Sequence, residues 1–161
     1  MILYHGSNMT VSNPNLKYSN RKRDFGKGFY LTSSKEQAIA WARHRAKITE
    51  NGKATVTIYE LDDSYISQLS VKKFESANLE WLEFITKNRK SEENVEIPYD
   101  IIIGPVANDN TTPTLNLYLS GIIDEEVAIK NLKTYVLKDQ YVIKSDKALF
   151  YLKYKEVEIY E

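Results

Sequence analysis

Phe25-Gly26-Lys27-Gly28-Phe29-Tyr30-Leu31-Thr32, FGKGFYLT, is the stretch on which the reading of the fold turns. It passes from glycine-rich to strand-like within one short segment. Two glycines one residue apart, Gly26 and Gly28, let a backbone approach a ligand closely, and a hairpin turn accounts for them as well. On a strand Phe29 and Tyr30 point to opposite faces, so one can enter a core while the other lines a cleft. The spacing departs from a dinucleotide-binding GxGxxG loop: Tyr30-Leu31 stands where the last glycine would fall, and a strand follows instead of a helix. The GKS/T ending of a phosphate-binding P-loop is also missing.

Working outward, Ile2 to Tyr4 form a short apolar run that predicts a strand ending at His5-Gly6. The polar, turn-rich residues up to Asp24 predict a loop. Behind the glycine segment, Ser34 with Gln37 has the form of a capping box, and Ser33 with Glu36 offers a second register. Ala38, Trp41, Ala42 and Ala46 then fall at helical spacing. Ala54 to Leu61 alternate as a strand. A second helix is predicted from about Ser76 to Asn88, and Asp124 caps a third through about Leu132. Tyr99 to Val106 is a continuous apolar run, which predicts a central strand buried on both faces. Gln140 to Ile143 and Leu149 to Ile159 are further β-rich segments. The strands are not separated by single helices, so the pattern favours α+β over a doubly wound parallel sheet.

The chain of 161 residues is 42% hydrophobic and 27% charged, which bounds it to about one globular domain spanning residues 1–161. It has no cysteine, so disulfide scaffolds, thiol catalysis and cysteine metal sites are excluded. Lys plus Arg and Asp plus Glu are both 22, which argues against a long-range field that gathers nucleic acid or an acidic membrane. No apolar run approaches the ~20 residues of a membrane span. The first residues lack the basic and apolar regions of a signal peptide, so a cytoplasmic location is expected.

Few residues invite chemistry. His5 closes a predicted strand and is followed by glycine; it is either a turn histidine or a ligand. His44 lies in the basic run Arg43-His44-Arg45 on a polar helix face. The two histidines lack metal-ligand spacing, and no metal is expected. Asp124, Glu125 and Glu126 fit a first helical turn, where negative charge is favoured. Asn108-Asp109-Asn110 follows the buried strand and reads equally as a loop lining a site or as a turn.

Taken together, these pieces resemble the ADP-ribosyltransferases of the diphtheria-toxin and poly-ADP-ribose-polymerase type. Those domains carry a strand ending in His-Gly-Ser/Thr, then an FGKGIYFA-like segment, then a late strand bearing the catalytic residue. The matching pieces here are LYHGS at Leu3 to Ser7, FGKGFYLT, and DQYVI at Asp139 to Ile143. Over nearly the whole chain the sequence is similar to a small bacterial family of uncharacterised transferase-like proteins found in operons of toxin–antitoxin type. The stretches that carry this are MILYHGSN, RDFGKGFYLT with QAIAWA behind it, YDIIIGPVANDN, LYLSG and LKDQYVIKSDKAL.

The resemblance implies a split β-sandwich of two small antiparallel sheets with flanking helices. It implies an enzyme that takes NAD as substrate without a metal and moves ADP-ribose to a macromolecular acceptor, protein or nucleic acid. It further implies a toxin with a small antitoxin partner, in a toxin–antitoxin or phage-defence system. His5 would bind the adenine-side ribose, and the backbone of Gly6 would hold the nicotinamide carboxamide. Tyr30 would stack on the nicotinamide ring, with Gly28 lining the same site. Gln140 occupies the position where the family usually has a catalytic glutamate. An amide can accept a hydrogen bond from a ribose hydroxyl but cannot act as a general base, and one lost electrostatic partner typically costs ~3–4 kcal/mol. Asp139 points to the opposite face of its strand, which makes Asp109 the expected reserve acid, and Asn108 and Asp109 form a candidate substrate loop. Two rival readings stay open: a catalytically weak or inactive NAD- or ADP-ribose-binding module, and an RNA 2′-phosphotransferase-like enzyme using Arg21, Lys22 and Arg23.

Overall fold

A computed structural model describes residues 1–18, 23–90, 98–107 and 110–161. Its strands form two small sheets. The first has the order β1–β3–β7, from Ile2–Ser7, Ala54–Leu61 and Leu152–Tyr160. The second has the order β2–β6–β5–β4, from Phe29–Leu31, Asp139–Ile143, Ile101–Pro105 and Val71–Lys73. Among the described residues six α-helices accompany them: α1 (Lys35–Lys47), α2 (Tyr65–Gln68), α3 (Leu79–Lys90), α4 (Thr112–Leu119), α5 (Glu125–Leu132) and α6 (Asp146–Leu149). The fold is α+β, and no helix among the described residues is long and apolar enough to cross a membrane.

The alternation of side chains on β2, β5 and β6 builds two cores back to back. Phe29, Leu31, Ile101, Ile103, Tyr141 and Ile143 face the first sheet and meet Leu3, Tyr59 and Leu61 there. Tyr30, Ile102 and Val142 face the other way, onto Trp81, Leu82 and Ile85 of α3, Leu115 of α4 and Ala128 and Leu132 of α5. Both faces of this sheet are therefore covered, which is why Ile101 to Val106 reads as an unbroken apolar run after Asp100. For the same reason Phe29 and Tyr30 are both buried, where the sequence leaves one of them lining a cleft. A third cluster seats α1, through Ala38 and Ala42, on the outer side of the first sheet at Ala54, Val56 and Ile58.

Local chemistry sets the helix starts. The Ser34 hydroxyl accepts from Gln37 N at 3.3 Å, the capping-box register. The alternative cap, Ser33, gives its hydroxyl to Asp139 Oδ2 at 2.5 Å. Asp124 caps α5 by accepting from Val127 N at 2.9 Å. One pair departs from the expected antiparallel sheets: β4 joins β5 in parallel, Val71 opposite Ile101. The connection runs through α3, as a parallel crossover requires.

Candidate active site

The two sheets touch along one seam. Tyr4 and Thr32 exchange both backbone hydrogen bonds, at 2.9 and 3.0 Å, and form an isolated antiparallel bridge. Beyond it β1 and β2 part. The register of β2 on β6 pairs Leu31 with Tyr141, and one step on it sets Thr32 across from Gln140, which pairs with Gly104 of β5. The row Tyr4–Thr32–Gln140–Gly104 thus crosses from one sheet to the other. His5, Gly6 and Tyr30, which are distant in sequence from Gln140, lie along the split beside this row.

His5 fills the opening of the split. Its ring stacks on Phe29 with centroids 4.3 Å apart, and its Nδ1 lies 2.7 Å from the Tyr30 carbonyl oxygen. A carbonyl only accepts, so Nδ1 carries the proton and Nε2 is the acceptor of the neutral ring. Burial pulls the imidazole down to about 4, aided by the positive charges of Arg23 and Arg45 and opposed by the hydrogen bond to Tyr30. His5 is therefore neutral at physiological pH. Arg43, His44 and Arg45 are exposed on α1, and His44 takes no part in the site.

Gly6 sits where only glycine fits. A Cβ there would lie 2.0 Å from the Ala38 carbonyl oxygen of α1. Strand alternation sends its N–H and C=O to the same edge as those of Tyr4, two residues earlier. At Tyr4 that edge is closed by Thr32; at Gly6 no described residue supplies a backbone partner outside the strand ladders. Among the described residues that edge of buried Gly6, one donor and one acceptor, has no backbone partner. Gly28 is also sterically required, since a Cβ there would come 2.5 Å from Val142 Cγ1 and 2.8 Å from the Ile143 carbonyl oxygen. Its role in the structure is to let the glycine segment lie flat on β6.

Tyr30 staples that segment. Its hydroxyl donates to the Gly26 carbonyl at 2.6 Å and accepts from Phe25 N at 3.0 Å. Burial raises its pKa, so it remains a phenol. The Arg23 guanidinium lies over the ring, 4.2 Å from its centroid. The ring face that the resemblance offers to nicotinamide is thus a packed surface with a planar cation on it. Lys144 completes the staple by donating to the Phe25 carbonyl at 2.6 Å, and burial brings its ammonium down to about 8.

Gln140 is 2% exposed, on the same face of β6 as Val142. Its Nε2 donates to the Pro105 carbonyl at 3.1 Å and to Asp24 Oδ2 at 3.5 Å. Asp24 is a hub. Its Oδ1 accepts from Arg89 Nε at 2.9 Å and Nη2 at 2.6 Å, and its Oδ2 also accepts from Ala107 N at 3.4 Å. Asn88 of α3 donates to the Asp24 carbonyl at 3.2 Å. Asp139, as expected, points away from Gln140. It accepts from Ser33 N and Oγ and from Thr32 Oγ1, tying the start of α1 to β6.

Tyr30 and Gln140 are therefore brought to one face, linked through the turn of Arg23 to Gly26. The His5 ring lies on the other face of the second sheet and reaches Tyr30 at its backbone. Asn108 and Asp109 lie outside the described residues. Among the described residues no group of three or more His, Asp or Glu side chains could hold a metal ion. Sequence reasoning passed over Asp24, Arg89 and Lys144. The one signal for Asp24 was its place directly before FGKG; Arg89, 65 residues on, gave none.

Residues 1–154 match the model of a family described as a protein of unknown function, DUF3990, and the chain belongs to that family. Neither a curated protein nor a solved structure matches it.

Proposed function

We propose that this DUF3990 protein is an NAD-dependent ADP-ribosyltransferase. The observation that carries the reading is the split beyond the Tyr4–Thr32 bridge, where neutral His5 and the open backbone edge of Gly6 stand side by side. A peptide edge that both donates and accepts matches a primary carboxamide. An imidazole acceptor held by its other nitrogen matches a ribose hydroxyl. Gln140 has an amide oxygen to offer a second ribose hydroxyl. NAD carries all three groups.

In the reaction the bond between the nicotinamide nitrogen and the ribose carbon breaks. Its electron pair stays on the nitrogen, and neutral nicotinamide departs. The ribose carbon bonds to an oxygen or nitrogen of a macromolecule, which gives up a proton to solvent. The residues of this chain orient the sugar and place partial negative charge beside the carbon that becomes cationic. The acceptor is a protein or a nucleic acid. The family's operon setting, a feature of the resemblance, supports a cytoplasmic toxin restrained by a small antitoxin protein.

Incubation with NAD should release free nicotinamide, and labelled NAD in a lysate should mark a macromolecule. Loss of the label to protease or to nuclease identifies the acceptor class. Absence of nicotinamide release would overturn the transferase reading, and calorimetry then tells whether NAD binds at all. One observation favours a second reading, an NAD-binding module without transfer: Tyr30 lies beneath Arg23, and the Gln140 amide nitrogen is engaged by two acceptors. That module would bind NAD and release no nicotinamide.

A further inference from the structure

Gln140 poses a question of charge. A glutamine at the reacting carbon brings no formal charge, yet a full carboxylate, Asp24, lies 3.5 Å from its Nε2. Asp24 comes from the turn before the glycine segment, not from β6. Its side chain is 13% exposed, and it is held on one oxygen by two nitrogens of Arg89. The oxygen turned toward Gln140 is the other one.

The amide has one arrangement that satisfies this setting. Nε2 faces two acceptors, the Pro105 carbonyl and Asp24 Oδ2. Turning the amide over would set Oε1 against both, with no proton between them. Asp24 and Pro105 therefore fix which end of Gln140 can meet a ligand, and that end is the acceptor. An amide whose N–H donates to a carboxylate is also polarised, with more negative charge on its oxygen.

We propose that Asp24 is a positioning residue for Gln140 and supplies, through the amide, the negative charge that a glutamine lacks. The pair divides between two side chains the work done by one glutamate in the enzymes this chain resembles. The inference rests on the transferase reading of the site.

The pairing makes an unusual demand on variants. Gln140→Glu puts a carboxylate against Asp24 and the Pro105 carbonyl. Two like charges so close raise the pKa of one, so that the pair holds a shared proton. Asp24→Asn removes that conflict, since an asparagine can donate to the introduced carboxylate and accept from Arg89, giving up only the long 3.4 Å contact from Ala107 N.

The experiment measures nicotinamide release and melting for wild type, D24N, Q140E and D24N/Q140E, each across pH 5 to 8. D24N should lower kcat by about 100-fold, the typical loss for one electrostatic partner, with KM for NAD little changed. Q140E should acquire a titration in its rate profile that wild type lacks. The double variant should lose that titration and recover most of the D24N deficit. A role in packing alone predicts additive losses and no new titration. If D24N fails to fold, the Q140E profile still decides: no added titration overturns the proposal. If wild type releases nicotinamide and D24N matches it, the proposal falls while the transferase stands. If wild type releases none, the transferase reading falls and this inference goes with it.

Discussion

On the side of the second sheet that meets the first, Phe29, Leu31, Ile101, Ile103 and Ile143 pack with Leu3 and Leu61, and the polar atoms near them are the hydroxyls of Tyr59, Tyr65 and Tyr141 and the His5 ring at the mouth of the split. On the other side the apolar cluster around Trp81 and Ile102 encloses Gln140, Asn88 and the Tyr30 hydroxyl, with the partly buried Asp24 and Arg89 at its edge. Away from those rings the first arrangement needs little besides matching shapes. The second takes charges from water and then supplies each with partners, and ion pairs so placed are commonly replaceable by apolar side chains without loss of stability. The contrast identifies the interior of the first face, away from His5 at its mouth, as scaffold, and the second face as the one whose polar contacts serve something besides stability.

The largest effect expected is on the polar face. Arg89→Ala strands the Asp24 carboxylate and should cost about 3–5 kcal/mol in denaturant unfolding. The test of the contrast is the paired change Asp24→Leu with Arg89→Met. It should recover most of that loss, and nicotinamide release should stay low. Recovery of activity along with stability would break the distinction between the faces.

On the apolar face, Ile103→Ala should cost about 2–4 kcal/mol through lost burial and a cavity. NAD affinity, read by calorimetry on the folded variant, should not move. A large change in affinity would mean that the interior of the inter-sheet face, and not only His5 at its mouth, takes part in the site.

The histidine at the mouth of the split gives a pH-dependent effect of at most about 3 kcal/mol. His5 binds a proton at about 4 in the fold and at 6.5 when unfolded. Between those values the unfolded chain holds more protons, so stability is complete above pH 6.5 and falls as the pH drops toward 4. A His5→Gln variant should lack this part of the acid destabilisation. An identical pH dependence in the two proteins would show that His5 is not held neutral by its surroundings.

The smallest effect belongs to neither face. Ser34→Ala removes the cap of α1 and should lower stability by about 1 kcal/mol. Activity should stay at the wild-type level, giving a baseline for the losses above.

The elements governed by neighbours in sequence are legible along the chain. Ser34 and Asp124 cap their helices through bonds three residues long, and the isoleucine run of β5 declares its double burial. The elements that escape such a reading depend on distant partners. Three-residue β4, two of whose residues are lysines, is a strand because β5 offers it an edge. Helix α4 begins in Thr112-Pro113-Thr114, which carries little helical preference of its own. The site divides in the same way. His5, Gly6 and Tyr30 stand out by their local motifs. The Asp24–Arg89–Gln140 network joins a turn, a helix end and a strand, and no spacing along the chain betrays it.

A last consequence follows from the Tyr4–Thr32 bridge. Among the described residues, two backbone hydrogen bonds are all that stitch one sheet to the other edge to edge. Beside them the His5 ring bonds the Tyr30 carbonyl at 2.7 Å, and the rest of the adhesion is largely apolar contact, which tolerates small rotations better than a ladder does. The molecule is thus jointed at one short seam, the bridge and the neighbouring His5 bond, beside its candidate site. Swivelling there alters the width of the split without disturbing either ladder, so the amide protons of Tyr4 and Thr32 should exchange with solvent ahead of those in mid-strand β3, reporting on the joint while the sheets stay whole.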